Sequence, residues 1–115
     1  MKIAIPVVEE EVVSAHFALC ELFAIYDVEN SELQHKELCI PPPHKPGSLP
    51  RWLAKEKAVD VVITAGIGQR AIDFFEKEGV EVVYGVESNT SEQLIEQYIA
   101  GMLDLGNNIC DRICP

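Results

Sequence analysis

Residues 59–85, VDVVITAGIGQRAIDFFEKEGVEVVYG, constrain the fold of this chain more than any other stretch. Residues 60–65 form a β-branched apolar run too short for a helix, and read as a strand. Gly66 and Gly68 break that run. Over residues 69–78, Ala71, Ile72, Phe74 and Phe75 share one side at helical spacing, and Gln69, Arg70, Asp73 and Glu76 line the other. Gly79 stands where a helix ends in left-handed backbone, which glycine adopts at little cost. Residues 80–84 are a second apolar strand. Two strands joined by one helix make a parallel unit with a right-handed crossover. Their near-continuous apolar character requires cover on both faces of the sheet.

Upstream, the pattern is strand-rich. Residues 2–8, KIAIPVV, are the first strand, with Pro6 marking an edge, a bulge or an irregular end because it lacks an amide donor. Residues 9–13 turn from acidic to apolar and read as a loop or short extension, followed by the loop at Ser14-Ala15-His16-Phe17. Residues 22–28 are the second strand, with Phe23, Ile25 and Asp27 on one face and Leu22, Ala24, Tyr26 and Val28 on the other. Asn30-Ser31 signals a turn. Residues 32–40 complete an antiparallel hairpin. The proline-rich stretch 41–50, PPPHKPGSLP, is a loop. Ser48 suits the N-cap of a helix over 49–57, in which Trp52 and Leu53 bury. After the central unit, Ser91 reads as the cap of a helix from Glu92 to about Leu103. Its buried stripe is Leu94, Ile95, Tyr98, Ile99 and Met102.

The order β-β-β-α-β-α-β-α predicts one α/β domain: a five-stranded mixed sheet with strand order 3-2-1-4-5 and three helices on its faces. That is a ribonuclease H-like arrangement. The domain is expected over residues 1–105, with a cysteine-containing tail over 106–115. A length of 115 residues with 48% hydrophobic content suits one such core.

The formal charge of −10, from 19 acidic against 9 basic residues, repels phosphate backbones and disfavours nucleic-acid partners. No apolar run reaches membrane-spanning length. The opening MKIAIPVV enters a strand pattern without a long apolar region or small-residue cleavage site, so the cytoplasm is the expected compartment. In that compartment Cys20, Cys39, Cys110 and Cys114 read as buried, reactive or metal-binding thiols rather than disulfides.

The groups with ligand chemistry are His16, Cys20, His35, Cys39, His44, Cys110 and Cys114, types that suit iron, zinc, copper and iron–sulfur clusters. No CxxC pair occurs, and Cys110 and Cys114 share a face only if the tail is helical. Cys20 and Cys39 read as ordinary buried small side chains, and His35 as a solvated strand residue. His16 stands in a loop after the first strand, where function concentrates. His44 lies in the proline loop and reads equally as ligand or idle. Gly66 to Ala71 fits G-x-G-x-x-A, with Glu87 lying 21 residues after Gly66, the outline of a dinucleotide fingerprint. The plainer reading is a tight turn that exposes helix N-terminal amides to an anion, with Arg70 one turn into the helix. There is no serine elbow and no Walker sequence, and the carboxylates read as solvated surface.

KIAIPV, VSAHF, LFAIYDV, the stretch LPRWLAKEKAVDVVITAGIGQRAIDFFEKEGVEVVYGV, QLIEQYIAGML and the terminal NNICD together resemble the dinitrogenase iron–molybdenum cofactor biosynthesis family. Its members include NifX-like proteins and the C-terminal part of NifB. The resemblance covers almost the whole chain. It implies a ribonuclease H-like fold without nuclease activity, and a role in binding or carrying metallocluster precursors between assembly proteins. It points to His16, to Gly66 and Gly68, and to Cys110. Ala18-Leu19 stand where the family often has Gly-Arg, and Arg112 where it often has histidine.

Residues and resemblance together define one candidate set. His16, His44, Gly66, Gly68, Arg70 and Cys110 would contact an iron–sulfur or iron–molybdenum-type cluster, bound reversibly, with His16, Cys110 and Cys114 as metal ligands. The expected protein is non-catalytic, and its expected partners are metallocluster assembly proteins. The alternative is a metal-free interaction or regulatory domain.

Overall fold

In the computed structural model, which describes residues 1–17, 20–30, 32–41 and 48–100, the central unit is present as read. Strand β4 (Val61–Ile63), helix α2 (Gln69–Lys77) and strand β5 (Glu81–Val83) follow one another, and β4 and β5 pair in parallel. Both strands are shorter than the apolar runs that encode them. Helix α2 ends on Gly79, whose φ of +80° needs a residue without a Cβ penalty.

The other strands are β1 (Lys2–Val7), β2 (Leu22–Glu29) and β3 (Glu32–Cys39). The sheet order is β3-β2-β1-β4-β5, as the sequence predicts. Strands β1 and β2 are antiparallel, β2 and β3 are antiparallel, and β1 runs parallel to β4. A bulge shifts the β2–β3 register between Asp27 and Val28. Pairing of β1 with β4 covers Ile3 and Ala4 and has stopped before Pro6, so the proline occupies the end of a central strand.

Two apolar clusters cover the two faces, as the strand composition requires. Ala4, Phe23, Ile25 and Val62 meet Leu49, Leu53, Ile72 and Phe75, from α2 and from the helical stretch before β4. Ile3, Ile5, Ala24, Tyr26 and Ile63 meet Leu94 and Ile95 of helix α3 (Ser91–Ile99). The alternation read in β2 is therefore the alternation of the two cores. Tyr98 and Ile99 pack at the margin, while Met102 lies outside the described residues.

Two local features depart from the expectations. The helix before β4 begins as α1 (Ser48–Arg51) and widens to a π-turn over Trp52–Glu56. It closes with Val59 N–H on the Leu53 carbonyl (3.1 Å) and Ala58 at φ +52°, the left-handed capping position that glycine usually fills. The N-cap of α3 is Thr90, not Ser91: the Thr90 hydroxyl accepts from the Gln93 amide at 3.3 Å. Ser91 is buried instead, with its hydroxyl 2.8 Å from that of Tyr26. No helix among the described residues is long and apolar enough to cross a membrane.

Candidate functional site

The chain between β1 and β2 is folded against the turn that follows β4. After β1, a 3-10 turn (Glu9–Glu11) reverses the backbone, with Glu10 and Glu11 both at positive φ. Val13 then pairs with Val7, and Val12 with Thr90. Ser14 N–H donates to the Pro6 carbonyl at 2.8 Å. These contacts deliver His16 to a parallel bridge with Gly66, in which the Phe17 amide donates to the Gly66 carbonyl at 2.7 Å. Two of the residues singled out in the sequence, 50 positions apart, thus meet through backbone.

Side chains on both sides hold this junction. The buried Ser14 hydroxyl donates to the His16 carbonyl (2.7 Å) and accepts from the His16 amide (3.3 Å), closing a local turn. Thr64, fully buried, donates its hydroxyl to the Gly66 carbonyl at 3.3 Å. On the far side, Gly85 N–H reaches the Ala65 carbonyl at 2.8 Å. Phe17 anchors the loop in the core. Its ring lies edge-on to Phe23 (5.5 Å) and to Phe75 of α2 (5.7 Å), and Phe23 continues to Trp52 at 5.7 Å. Ser14 and Thr64 escaped the sequence reading. The one available signal was a serine two residues before a loop histidine, the spacing of a hydroxyl-closed turn.

Gly66 and Gly68 stand in the turn between β4 and α2, and neither needs left-handed backbone. Among the described residues, the glycines at positive φ are Gly79 and Gly85. Gly68 has φ −77° and ψ 156°, and serves as the N-cap of α2 with no side-chain capping bond. A Cβ built there meets nothing within 4 Å. The absent side chain therefore relieves no clash among the described residues; among them it leaves the approach to the first α2 amides open. Those amides have no intrahelical acceptor and carry the positive end of the helix dipole. Arg70, in the first turn, is exposed.

The thiols among the described residues are not poised for chemistry. Cys39 is buried and Cys20 half-buried, both against the Phe23 core. Burial pushes the Cys20 thiol up to about 11 and is also the leading cause raising Cys39. Both stay protonated near neutral pH, as buried structural cysteines do. His35 is exposed on β3. Among the described residues no three of the His, Cys, Asp and Glu side chains group to hold a metal ion. His44, Cys110 and Cys114 lie outside the described residues, and so does the expected proximity of His16 to Cys110.

The G-x-G-x-x-A motif begins in the turn after β4 and ends in the first turn of α2, beside a sheet in which β1 and β3 both run antiparallel to β2. Strand β5, which follows it, has three residues.

Known proteins resemble this chain over most of its length. The model of the family described as "Dinitrogenase iron-molybdenum cofactor" matches residues 1–101. An uncharacterised protein of Methanocaldococcus jannaschii is 30% identical over 108 residues, covering 90% of each chain. Among solved structures, that of PH0822 superposes with a TM-score of 0.84 at 32% identity, covering 94% of this chain and 96% of the other. The apo form of the orange protein from Desulfovibrio gigas superposes with a TM-score of 0.76 at 18% identity over 92% of each chain, a likeness of fold.

Proposed function

For a chain that belongs to the dinitrogenase iron-molybdenum cofactor family, we propose a non-catalytic carrier of an anionic iron–sulfur or iron–molybdenum-type cluster, held reversibly at the junction of His16 and the Gly66–Gly68 turn. The observation that carries this reading is the backbone bridge between His16 and Gly66. It sets an imidazole-bearing loop beside an N-terminus of α2 that no side chain caps.

The cluster is cargo, and the residues suit cargo. Sulfide-rich clusters are anionic, and uncapped helix amides with Arg70 nearby favour an anion. His16 supplies a borderline ligand to an exposed iron, with Cys110 and Cys114 as the softer ligands. Cys39, buried, and Cys20, half-buried, pack against the Phe23 core and take no part. Such a site holds a preformed cluster by electrostatics and a few ligands. It does not build a closed four-ligand cage, and so permits transfer onward to an assembly protein. The cytoplasm, where such assembly proceeds, is the proposed setting.

The test is anaerobic loading with iron and sulfide of the wild-type chain and of the His16→Ala, Cys110→Ala double variant. Loss of bound iron in a folded double variant supports the site, and unchanged uptake removes it. A second reading, a metal-free interaction domain, is favoured by the packing of Cys20 and Cys39 against the Phe23 core. It requires that replacing all four cysteines leave partner binding intact.

A further inference from the structure

Strand β3 is an edge strand whose α3-side face is only partly covered by the described residues. The register places Leu33 opposite Val28, Lys36 opposite Tyr26 and Leu38 opposite Ala24, all residues of the α3-side core. Leu33 is nonetheless 48% exposed and Leu38 46%. The direction of α3 explains this. The helix starts over β2 and β3, where Ser91 meets Tyr26 and Glu92 lies 3.4 Å from Lys36. It runs away toward β5, where burial and then the Glu81 carboxylate raise the Tyr98 phenol. The exposed Leu33 and Leu38, with Lys36 between them, leave a strip of β3 beside α3.

The walls of the strip are acidic. Glu92 and Glu96 lie one turn apart on the same flank of α3. Glu11 reaches Lys36 from the 3-10 turn, with Glu9 and Glu10 exposed beside it. Lys36 is shared between Glu11 and Glu92 and lies over the Tyr26 ring, so its charge is already matched. The sequence holds no other lysine or arginine from residue 3 to 35 or from 78 to 111. The basic groups concentrate over residues 45–77, which supply the two helices of the opposite sheet face.

We propose that this strip docks a partner protein through a short basic segment bearing leucine-like side chains. Apolar contact with Leu33 and Leu38 would supply affinity, and the surrounding carboxylates would select positive charge and speed association. A second copy of this face is disfavoured because it would bring like charge onto like. Residues 101–115 carry Asp104 and Asp111 against Arg112, so they are not a basic segment of the kind these carboxylates would select.

The test uses the full-length chain, isotopically labelled, titrated with a twelve-residue peptide of alternating lysine and leucine and with its glutamate counterpart. The expected result is that amide signals of Leu33, Lys36, Leu38, Glu92 and Glu96 shift with the lysine peptide only. Binding should weaken about tenfold in Leu33→Ser, Leu38→Ser, and also in Glu96→Lys, which leaves the leucines in place. It should weaken with added salt, as charge attraction between exposed groups does. Shifts spread over both sheet faces, or unchanged affinity in the folded variants, would overturn the proposal. So would self-association through this strip in sedimentation, or contacts from residues 101–115 to Leu33 and Leu38 in the unliganded chain.

Discussion

The amide of Phe17 donates to the carbonyl of Gly66 at 2.7 Å, tying the loop that carries His16 to the turn that opens α2. The bond is held from one end by a buried ring. Phe17 is 4% exposed and lies edge-on to Phe23 and Phe75. Phe17→Ala should therefore lower stability by about 3–5 kcal/mol, the usual cost of emptying an aromatic core site. Phe17→Leu should keep most of the stability. Urea unfolding of the two variants checks this, and a loss under about 1 kcal/mol for Phe17→Ala would show that the loop is not anchored here.

Gly68 separates binding from folding. Its φ is negative and a Cβ would meet nothing within 4 Å. In Gly68→Ala, a poorer N-cap and a less flexible unfolded chain oppose each other, so stability should change by less than about 1 kcal/mol. The added methyl would stand at the approach to the α2 amides, so iron loading should fall. A variant that binds normally would show that the amides are not used.

Alkaline pH should destabilise the protein through protons that the folded chain holds more tightly than the unfolded one. Burial raises the Cys20 thiol from its ordinary value of 9.0 to about 11. The hydrogen bond to Glu11 raises Lys36, and burial raises Tyr26. Each contribution is full below the unfolded pKa and is lost as pH rises toward the folded one, because the unfolded chain releases its proton first. The melting temperature should fall between pH 9 and 11, with the early part of the fall reduced in Cys20→Ala. A constant melting temperature across that range would contradict the assignment.

Tyr26 is fully buried, with its hydroxyl 2.8 Å from that of Ser91. Ser91→Ala leaves a phenol without that partner in an apolar core and should cost about 1–3 kcal/mol. Tyr26→Phe with Ser91→Ala removes both partners and should recover part of the loss. A double-variant cycle in urea measures the coupling, and additivity would mean that the contact contributes nothing.

The strand order, the two faces of β2 and the buried stripes of α2 and α3 were legible in the sequence because each is written in local periodicity. Phe23 and Ile25 against Ala24, Tyr26 and Val28 alternate at the strand period, and the two cores follow that alternation. What local pattern could not supply was tertiary. Ser91 is the better cap in isolation; it is lost to capping because Tyr26, 65 residues away, takes its hydroxyl into the core. Ala58 carries a left-handed cap where the eye searches for glycine. Ser14 and Thr64 are unremarkable in sequence and become positioning groups only once His16 and Gly66 are side by side. Gly68 stands in the turn that opens α2, as the motif suggests, and does so with an ordinary negative φ.

The most direct measurement presents a preformed anionic iron–molybdenum–sulfur cluster, without oxygen, to the wild-type chain and to His16→Ala. Iron and sulfide are then determined in the protein fraction after gel filtration. The account predicts stoichiometric cluster on the wild type and a large loss on a folded His16→Ala variant, with Gly68→Ala between them. Equal loading of wild type and His16→Ala, or no cluster on either, would contradict a carrier built at the His16–Gly66 junction.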